Sequence, residues 1–155
     1  MSTWFYKVTD DISKVVDAIE FYEGEIAEAR GEVKIRGNLE RASASLPGIM
    51  EYRFNQLQEV ESILEHLNIK LRKTRSQVFK KFLEGYNRQL SSRDAEKYVD
   101  GDDDVVALTE LVNQFALVRN QYLGIIKGLE NKHWQIGNIT KLRTAGLEDV
   151  RIDEY

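Results

Sequence analysis

The sequence predicts an all-α protein whose long amphipathic helices form an elongated bundle or a coiled-coil-like arrangement. The 155-residue chain contains a single proline and no cysteine. Its apolar side chains recur at spacings of three and four over long stretches, which is the period of one helix face. Charged residues make up 31% of the chain, as is usual for a solvated helical surface. Because the length suits one domain, we expect residues 1–155 to form a single helical unit.

The first helix is predicted at about residues 10–35. Thr9 to Asp11 supply side chains suited to an N-cap, and acids are favourable in a first helical turn. Trp4 to Tyr6, just before them, are expected to cap the bundle. The apolar positions of the helix are Ile12, Val15, Ile19, Tyr22, Ile26, Ala29 and Val33.

A break is predicted at residues 38–49, because a proline is tolerated only in the first turn of a helix and Pro47 is followed by Gly48. The second helix is therefore predicted at about residues 48–90. At 1.5 Å per residue it would be roughly 60 Å long, which favours a bundle. Its buried face is predicted to contain Phe54, Leu57, Val60, Leu64, Leu67, Leu71, Val78 and Phe82.

The third helix, predicted at about residues 103–145, follows a second break at residues 91–104. The acids from Asp100 to Asp104 are expected to cap it, because a calcium loop begun there would place Leu111 or Asn113 where the bidentate glutamate belongs. Ala145-Gly146 predicts its end, and residues 147–155 form an acidic tail. Three such helices leave long apolar edges, so we expect a homo-oligomer. Its interface is predicted to contain Leu108, Leu111, Phe115, Val118, Tyr122, Ile125, Leu129, Ile136 and Ile139.

No pattern of catalytic or metal-binding residues is found. His66 and His133 fall on different predicted helices, and no cysteine nucleophile or phosphate-binding glycine loop is present. Glu130 and His133 form one Glu-x-x-His pattern, whereas a carboxylate-bridged metal bundle needs two. We therefore expect no enzyme activity, no metal and no cofactor. No N-terminal signal and no apolar run of roughly 20 residues is seen, so we expect a cytoplasmic protein that does not enter a membrane.

One stretch reverses the sign of the charge. The whole chain has a net charge of −4, yet no acid lies between Glu65 and Glu84. Cations that follow phosphates, combined with rings that stack on bases, are typical of single-stranded nucleic-acid binding. On the pattern alone, the commoner explanation is that the rings pack against another helix while the cations stay solvated. The candidate DNA-binding residues are Lys70, Arg72, Lys73, Arg75, Phe79, Lys80, Lys81, Tyr86 and Arg88.

Three segments of the chain carry a further pattern: the basic and aromatic run from Lys70 to Tyr86, the acidic joint from Lys97 to Val106, and the terminal helix from Tyr122 to Arg143. Together they resemble the UvsY-type recombination mediators of T-even-like bacteriophages. The likeness covers roughly the last 90 residues.

The resemblance implies a small non-enzymatic helical homo-oligomer that binds single-stranded DNA. Such mediators act in DNA recombination and repair, where they help a RecA-like recombinase to displace single-strand-binding protein, here in the cytoplasm of an infected bacterium. The resemblance also implies that the basic residues from Lys70 to Lys81, together with Tyr86, contact the DNA. The alternative is a structural or scaffolding coiled-coil oligomer with protein partners and no DNA binding. Its basic stretch would pair with acids such as Asp100 to Asp104 of a neighbour.

Overall fold

The computed structural model describes residues 4–85 and 90–147, and it confirms an all-α fold. The chain forms α1 (Trp4–Asp10), a 3-10 helix (Ile12–Lys14), α2 (Val15–Val33), α3 (Leu39–Gly85), α4 (Ser92–Asp100) and α5 (Asp103–Thr144). The two long helices, α3 and α5, pack together along most of their length, and α2 lies against α5. In this part of the chain, no helix combines the length and the hydropathy that a membrane span requires.

Local capping residues determine where several of these helices begin and end. The Asp102 carboxylate accepts hydrogen bonds from the backbone N–H groups of Asp104 and Val105, so the acidic joint caps α5 as expected. Ser91 caps α4 in the same way through the N–H of Asp94. Gly146 has a φ of +75°, the left-handed conformation that commonly ends a helix. The predicted bounds of α5 are therefore correct to within one residue.

Three predicted boundaries are wrong. The helix predicted at about residues 10–35 begins as the 3-10 helix, which Asp11 caps by accepting from the N–H of Ser13, and Trp4 to Tyr6, expected to cap the bundle, belong to the separate helix α1. α3 begins at Leu39 rather than near residue 48, with Pro47 inside it. Residues 91–104, predicted as a break, contain α4.

The early start of α3 has a packing explanation. Proline in a helix removes one backbone hydrogen bond and strains the preceding turn. Pro47 lies on the exposed side of the helix, whereas Ala42 and Leu46 on the opposite side are buried. They belong to a core cluster with Leu129 and Ile136 of α5. Burial of this face offsets the cost of the proline.

A larger core cluster lies where α2, α3 and α5 meet. Tyr22 is its centre, and its ring makes edge contacts with the rings of Phe115 and Tyr122 at centroid distances of 6.2 and 6.0 Å. α1 closes one side, since Trp4 and Phe5 pack against the cluster. The N–H of Phe5 also donates to Glu59 Oε1 at 3.0 Å, which ties α1 to α3.

One residue predicted for the buried face of α3 is exposed, and buried residues that were not predicted include Ile63. Phe54 is half exposed, while Arg53 and Gln56 are buried. At 100° per residue, Phe54 lies about 60° from Leu57 around the helix, enough to turn it away from α2 and α5. Arg53 and Gln56 occupy the inward positions because side chains of α2 and α5 form hydrogen bonds with them there.

Candidate nucleic-acid interface

The candidate basic residues lie on the second half of α3, where at 100° per residue they spread around roughly two thirds of the helix. We call Lys70, Arg72, Lys73, Arg75, Lys80 and Lys81 the α3 basic surface. No glycine or proline interrupts residues 49–84, so the stretch is part of one continuous helix. Five of the six side chains are exposed, and Arg75 is half-buried.

The arginines of this surface are already paired within the chain. Arg75 Nη2 lies 2.8 Å from Asp100 Oδ1 of α4, and Arg72 Nη2 lies 2.9 Å from Glu65 Oε1. Lys80 Nζ is 3.9 Å from Glu84 Oε1, a loose exposed pair. Among the described residues, Lys70, Lys73 and Lys81 make no ion pair. These lysines hold most of the charge that a polyanion could neutralise.

Aromatic rings lie beside the basic surface. Phe79 and Phe82 are half-buried on the side of α3 that faces α4. The ring of Phe82 lies 5.5 Å from that of Tyr98, at an interplanar angle of 31°. Tyr98 is 48% exposed, so part of this ring pair is in contact with solvent.

Tyr98 is a candidate base-stacking residue that the sequence analysis missed. It belongs to α4, in a segment predicted to be a break. The sequence does contain a pattern that indicates this helix. Ala95 and Val99, four residues apart, form its apolar side, and Ser91 caps it. The predicted site residues Tyr86 and Arg88 lie outside the described residues.

A cleft of about 490 Å³ opens next to Lys70. It lies between the start of α2, the middle of α3 and the start of α5. Its polar side is formed by Lys70, Thr74 and Gln77 of α3, together with Ser13 and Asp104. Its apolar side is formed by Ile12, Val16, Ala107, Leu108 and Leu111.

His66 lies one turn before Lys70 and is half-buried. Its Nε2 atom is enclosed and has no hydrogen-bond partner in the described part of the chain. Burial lowers the pKa of His66, and the positive charge of Lys70 lowers it further. The imidazole is therefore held in its neutral form under conditions in which a solvated histidine would begin to protonate.

Most of the predicted oligomer-interface residues lie in the core of this single chain. Phe115, Val118, Tyr122, Ile125, Leu129 and Ile136 are buried, and Leu108, Leu111 and Ile139 are half-buried. The three-four spacing identified the inward face of α5, which α2 and α3 cover. A second copy would have to approach α5 through other side chains. Assembly itself stays a prediction.

No three histidine, aspartate or glutamate side chains within residues 4–85 and 90–147 are grouped as metal ligands would be. Comparison of the chain with models of protein families, with curated proteins and with solved structures gives no match.

Proposed function

We propose that this protein binds single-stranded DNA through the α3 basic surface and acts as a non-enzymatic recombination mediator. The observation that carries the proposal is the run of exposed lysines on α3, free of intervening acids and adjacent to half-exposed aromatic rings. Lysines attract the phosphates, and partly exposed rings near them, such as Tyr98, are the kind of side chain that stacks on unstacked bases. The net negative charge of the chain is compatible with this role, because the basic surface is local.

The dimensions suit a short length of single strand per subunit. Residues 70–81 rise about 17 Å along the helix axis, which matches only a few nucleotides. If about four phosphates are neutralised, the slope of log affinity against log salt concentration is about −3 for single strands. A homo-oligomer would repeat the surface and add avidity along one strand.

The recombination role rests on the resemblance to UvsY-type mediators. The resemblance implies that the partners are a RecA-like recombinase and single-strand-binding protein. It also implies that the protein acts in the cytoplasm of an infected bacterium. A basic surface that competes for the strand could help to remove single-strand-binding protein while the recombinase nucleates.

Fluorescence anisotropy with a labelled single strand at several salt concentrations tests the DNA-binding step. We expect salt-sensitive binding that prefers single strands over duplex. Lys73→Glu/Lys80→Glu should abolish it. The matched control is Lys127→Glu/Lys141→Glu, which makes the same charge change at exposed positions of α5 and should bind like the native chain. Affinity that is flat with salt, or equal loss in both variants, would reject the α3 basic surface.

The mediator step needs a separate assay. The native chain should speed recombinase loading on a strand coated with single-strand-binding protein, and Lys73→Glu/Lys80→Glu should not. DNA binding without any effect on loading would restrict the function to DNA binding alone.

A scaffolding oligomer is the second candidate, and exposed apolar side chains favour it. Leu117 and Trp134 of α5 are both more than half exposed, so this helix presents apolar side chains that a protein partner would cover in a scaffold. In that case salt would change the assembly state, and single-stranded DNA would not compete with assembly.

A further inference from the structure

The outward side of α3 carries an exposed stripe that spans residues 51–83. Its positions follow one another at three and four residues, and all of them are exposed: Glu51, Phe54, Gln58, Glu61, Glu65, Ile69, Arg72, Ser76, Lys80 and Leu83, with Ser62 and Lys73 beside them. Three large apolar side chains lie on this stripe: Phe54 is 50% exposed, Ile69 is 51% exposed and Leu83 is 43% exposed. We call it the α3 outer stripe.

The spacing of the apolar residues is nearly symmetric about Ile69. Phe54 precedes it by fifteen positions and Leu83 follows it by fourteen. When two identical helices pair in opposite directions about a two-fold axis, the same residue faces itself at the axis. Positions equally far before and after it then face each other. An axis at Ile69 would place Phe54 of each copy next to Leu83 of the other.

The charges on the stripe have the same self-complementary order. Glu61 and Glu65 precede Ile69, whereas Arg72, Lys73 and Lys80 follow it. The only basic residue between positions 51 and 69 is Arg53, which is buried on the opposite side of the helix. In an antiparallel pair, the acidic half of each copy would lie against the basic half of the other. In a parallel pair, like charges would meet.

We propose that two copies of this chain pair antiparallel along the α3 outer stripe, with the two-fold axis at Ile69. Glu65 of each copy then lies opposite Lys73 of the other, and the apolar contacts fall at the centre and at both ends. This interface differs from the predicted α5 interface and does not depend on DNA binding. It uses Lys73 and Lys80, so a bound polyanion would compete with pairing.

The ion pair between Arg72 and Glu65 on the stripe does not prevent two copies from pairing. Arg72 and Glu65 lie within one chain, and more than 60% of each side chain is exposed, so exchanging the partner costs little. A strip about 50 Å long and about 10 Å wide would bury on the order of 1,000 Å² in total, near the lower limit for a specific interface. The pair should therefore form reversibly and weaken as salt is raised.

The absence of cysteine from the chain allows a direct test with single introduced cysteines. Ile69→Cys should form a disulfide-linked dimer on mild oxidation, because residue 69 faces itself. Ser62 lies seven residues before position 69, and Ser76 lies seven residues after it. The Ser62→Cys variant alone and the Ser76→Cys variant alone should stay monomeric, whereas an equimolar mixture of the two should cross-link.

Asn131→Cys, an exposed position on α5, measures random collision. We expect about tenfold more linked dimer for Ile69→Cys than for Asn131→Cys, because pairing raises the effective concentration of the thiols. Cross-linking of Ser62→Cys alone as readily as of the mixture would indicate a parallel arrangement and overturn the proposal. Equal yields from Ile69→Cys and Asn131→Cys would also overturn it.

Sedimentation of the cysteine-free chain gives a second readout. The native chain should show a concentration-dependent dimer that Ile69→Glu abolishes while the helical circular dichroism is unchanged. A native chain that stays monomeric at all concentrations and at low salt would reject the pairing. That result would leave the DNA-binding proposal, which is tested by anisotropy, unaffected.

Discussion

Arg53 of α3 is held by Glu32 of α2 through two parallel hydrogen bonds. Arg53 Nε lies 2.7 Å from Glu32 Oε2, and Nη2 lies 2.8 Å from Oε1. Nη1 donates to Glu25 Oε2 at 2.8 Å and to Gln56 Oε1 at 2.9 Å. Arg53 is only 1% exposed, so its charge is stabilised by these partners rather than by water. Burial alone would lower the pKa of Arg53, but Glu32 and Glu25 raise it above its usual range.

The network joins three helices. Gln56 Oε1 also accepts from the hydroxyl of Tyr122 in α5 at 3.1 Å. Nearby, Lys132 Nζ of α5 donates to the backbone carbonyl of Glu32 at 2.7 Å, near the end of α2. These bonds have defined directions, whereas apolar contacts tolerate sliding. We infer that they determine the register of α2, α3 and α5.

Arg53→Ala should lower the free energy of unfolding by about 3 kcal/mol or more, because it removes the shared partner of the network and leaves a cavity. Chemical denaturation followed by circular dichroism measures this. The matched control is Arg72→Ala, whose partner Glu65 is exposed; it should cost less than about 1 kcal/mol. Similar losses of unfolding free energy in Arg53→Ala and Arg72→Ala would show that the buried network stabilises the fold no more than an exposed ion pair does.

Gly128 allows the close approach of α5 to the end of α2. A Cβ at this position would lie 2.8 Å from Val33 Cγ1 and 3.1 Å from Cγ2. Valine is stiff about its χ1 torsion, so the helices would have to shift. Gly128→Ala should destabilise the fold by about 1–3 kcal/mol.

Gly124, one turn earlier, is the control for Gly128. A Cβ there meets nothing within 4 Å, so Gly124→Ala should raise stability by about 0.5–1 kcal/mol through helix propensity. The two thermal midpoints should move in opposite directions. A rise for both variants would contradict the close packing of Gly128 against Val33.

Protonation of His66 should destabilise the fold. Its pKa is lowered in the folded state by burial and by Lys70, so the unfolded chain binds the proton more readily. The stabilising contribution is complete above the unfolded pKa, near 6.5, and is lost as pH falls through the folded value. Denaturation midpoints measured between about pH 7.5 and pH 5 should fall with pH.

In His66→Gln, that decline should be smaller, because glutamine does not titrate. The titration of Glu25 does not affect this comparison of the native chain with His66→Gln. Burial opposes its ionisation, but hydrogen bonds from Gln56 and Arg53 lower its pKa below 4.5, so its contribution is lost only at lower pH. An identical pH dependence in the native chain and in His66→Gln would contradict the prediction.

Tyr98→Ala should weaken single-stranded DNA binding if the Phe82–Tyr98 pair stacks on a base. Alanine substitution at such a ring typically costs about 1–3 kcal/mol, or roughly tenfold or more in affinity. Anisotropy with a normal strand should show this loss, and a strand of abasic sites should not distinguish Tyr98→Ala from the native chain. Trp134→Ala, an exposed aromatic of α5, is the control and should bind normally. Loss of binding to the abasic strand as well would indicate a structural role for Tyr98.

The site was only partly predictable. The lysines of the α3 basic surface lie between positions 70 and 81, and the helical pattern of the sequence already predicts that they are exposed. The pairing of Arg75 with Asp100 and of Phe82 with Tyr98 could not be predicted, because it requires α4 to fold back along α3. The apolar spacing in α5 identified a buried face correctly but could not say whether α3 or a second copy covers it.

The sequence by itself determined the all-α class and the bounds of α5, because helical period, the Asp102 cap and the Gly146 end are local interactions between near neighbours. Only the tertiary structure decided that Arg53 lies inside while Phe54 lies outside, and that α3 continues through Pro47. The acids that neutralise Arg53 are 21 and 28 residues away, on another helix. The cost of burying a charge depends on partners brought together by packing, and no local pattern contains them.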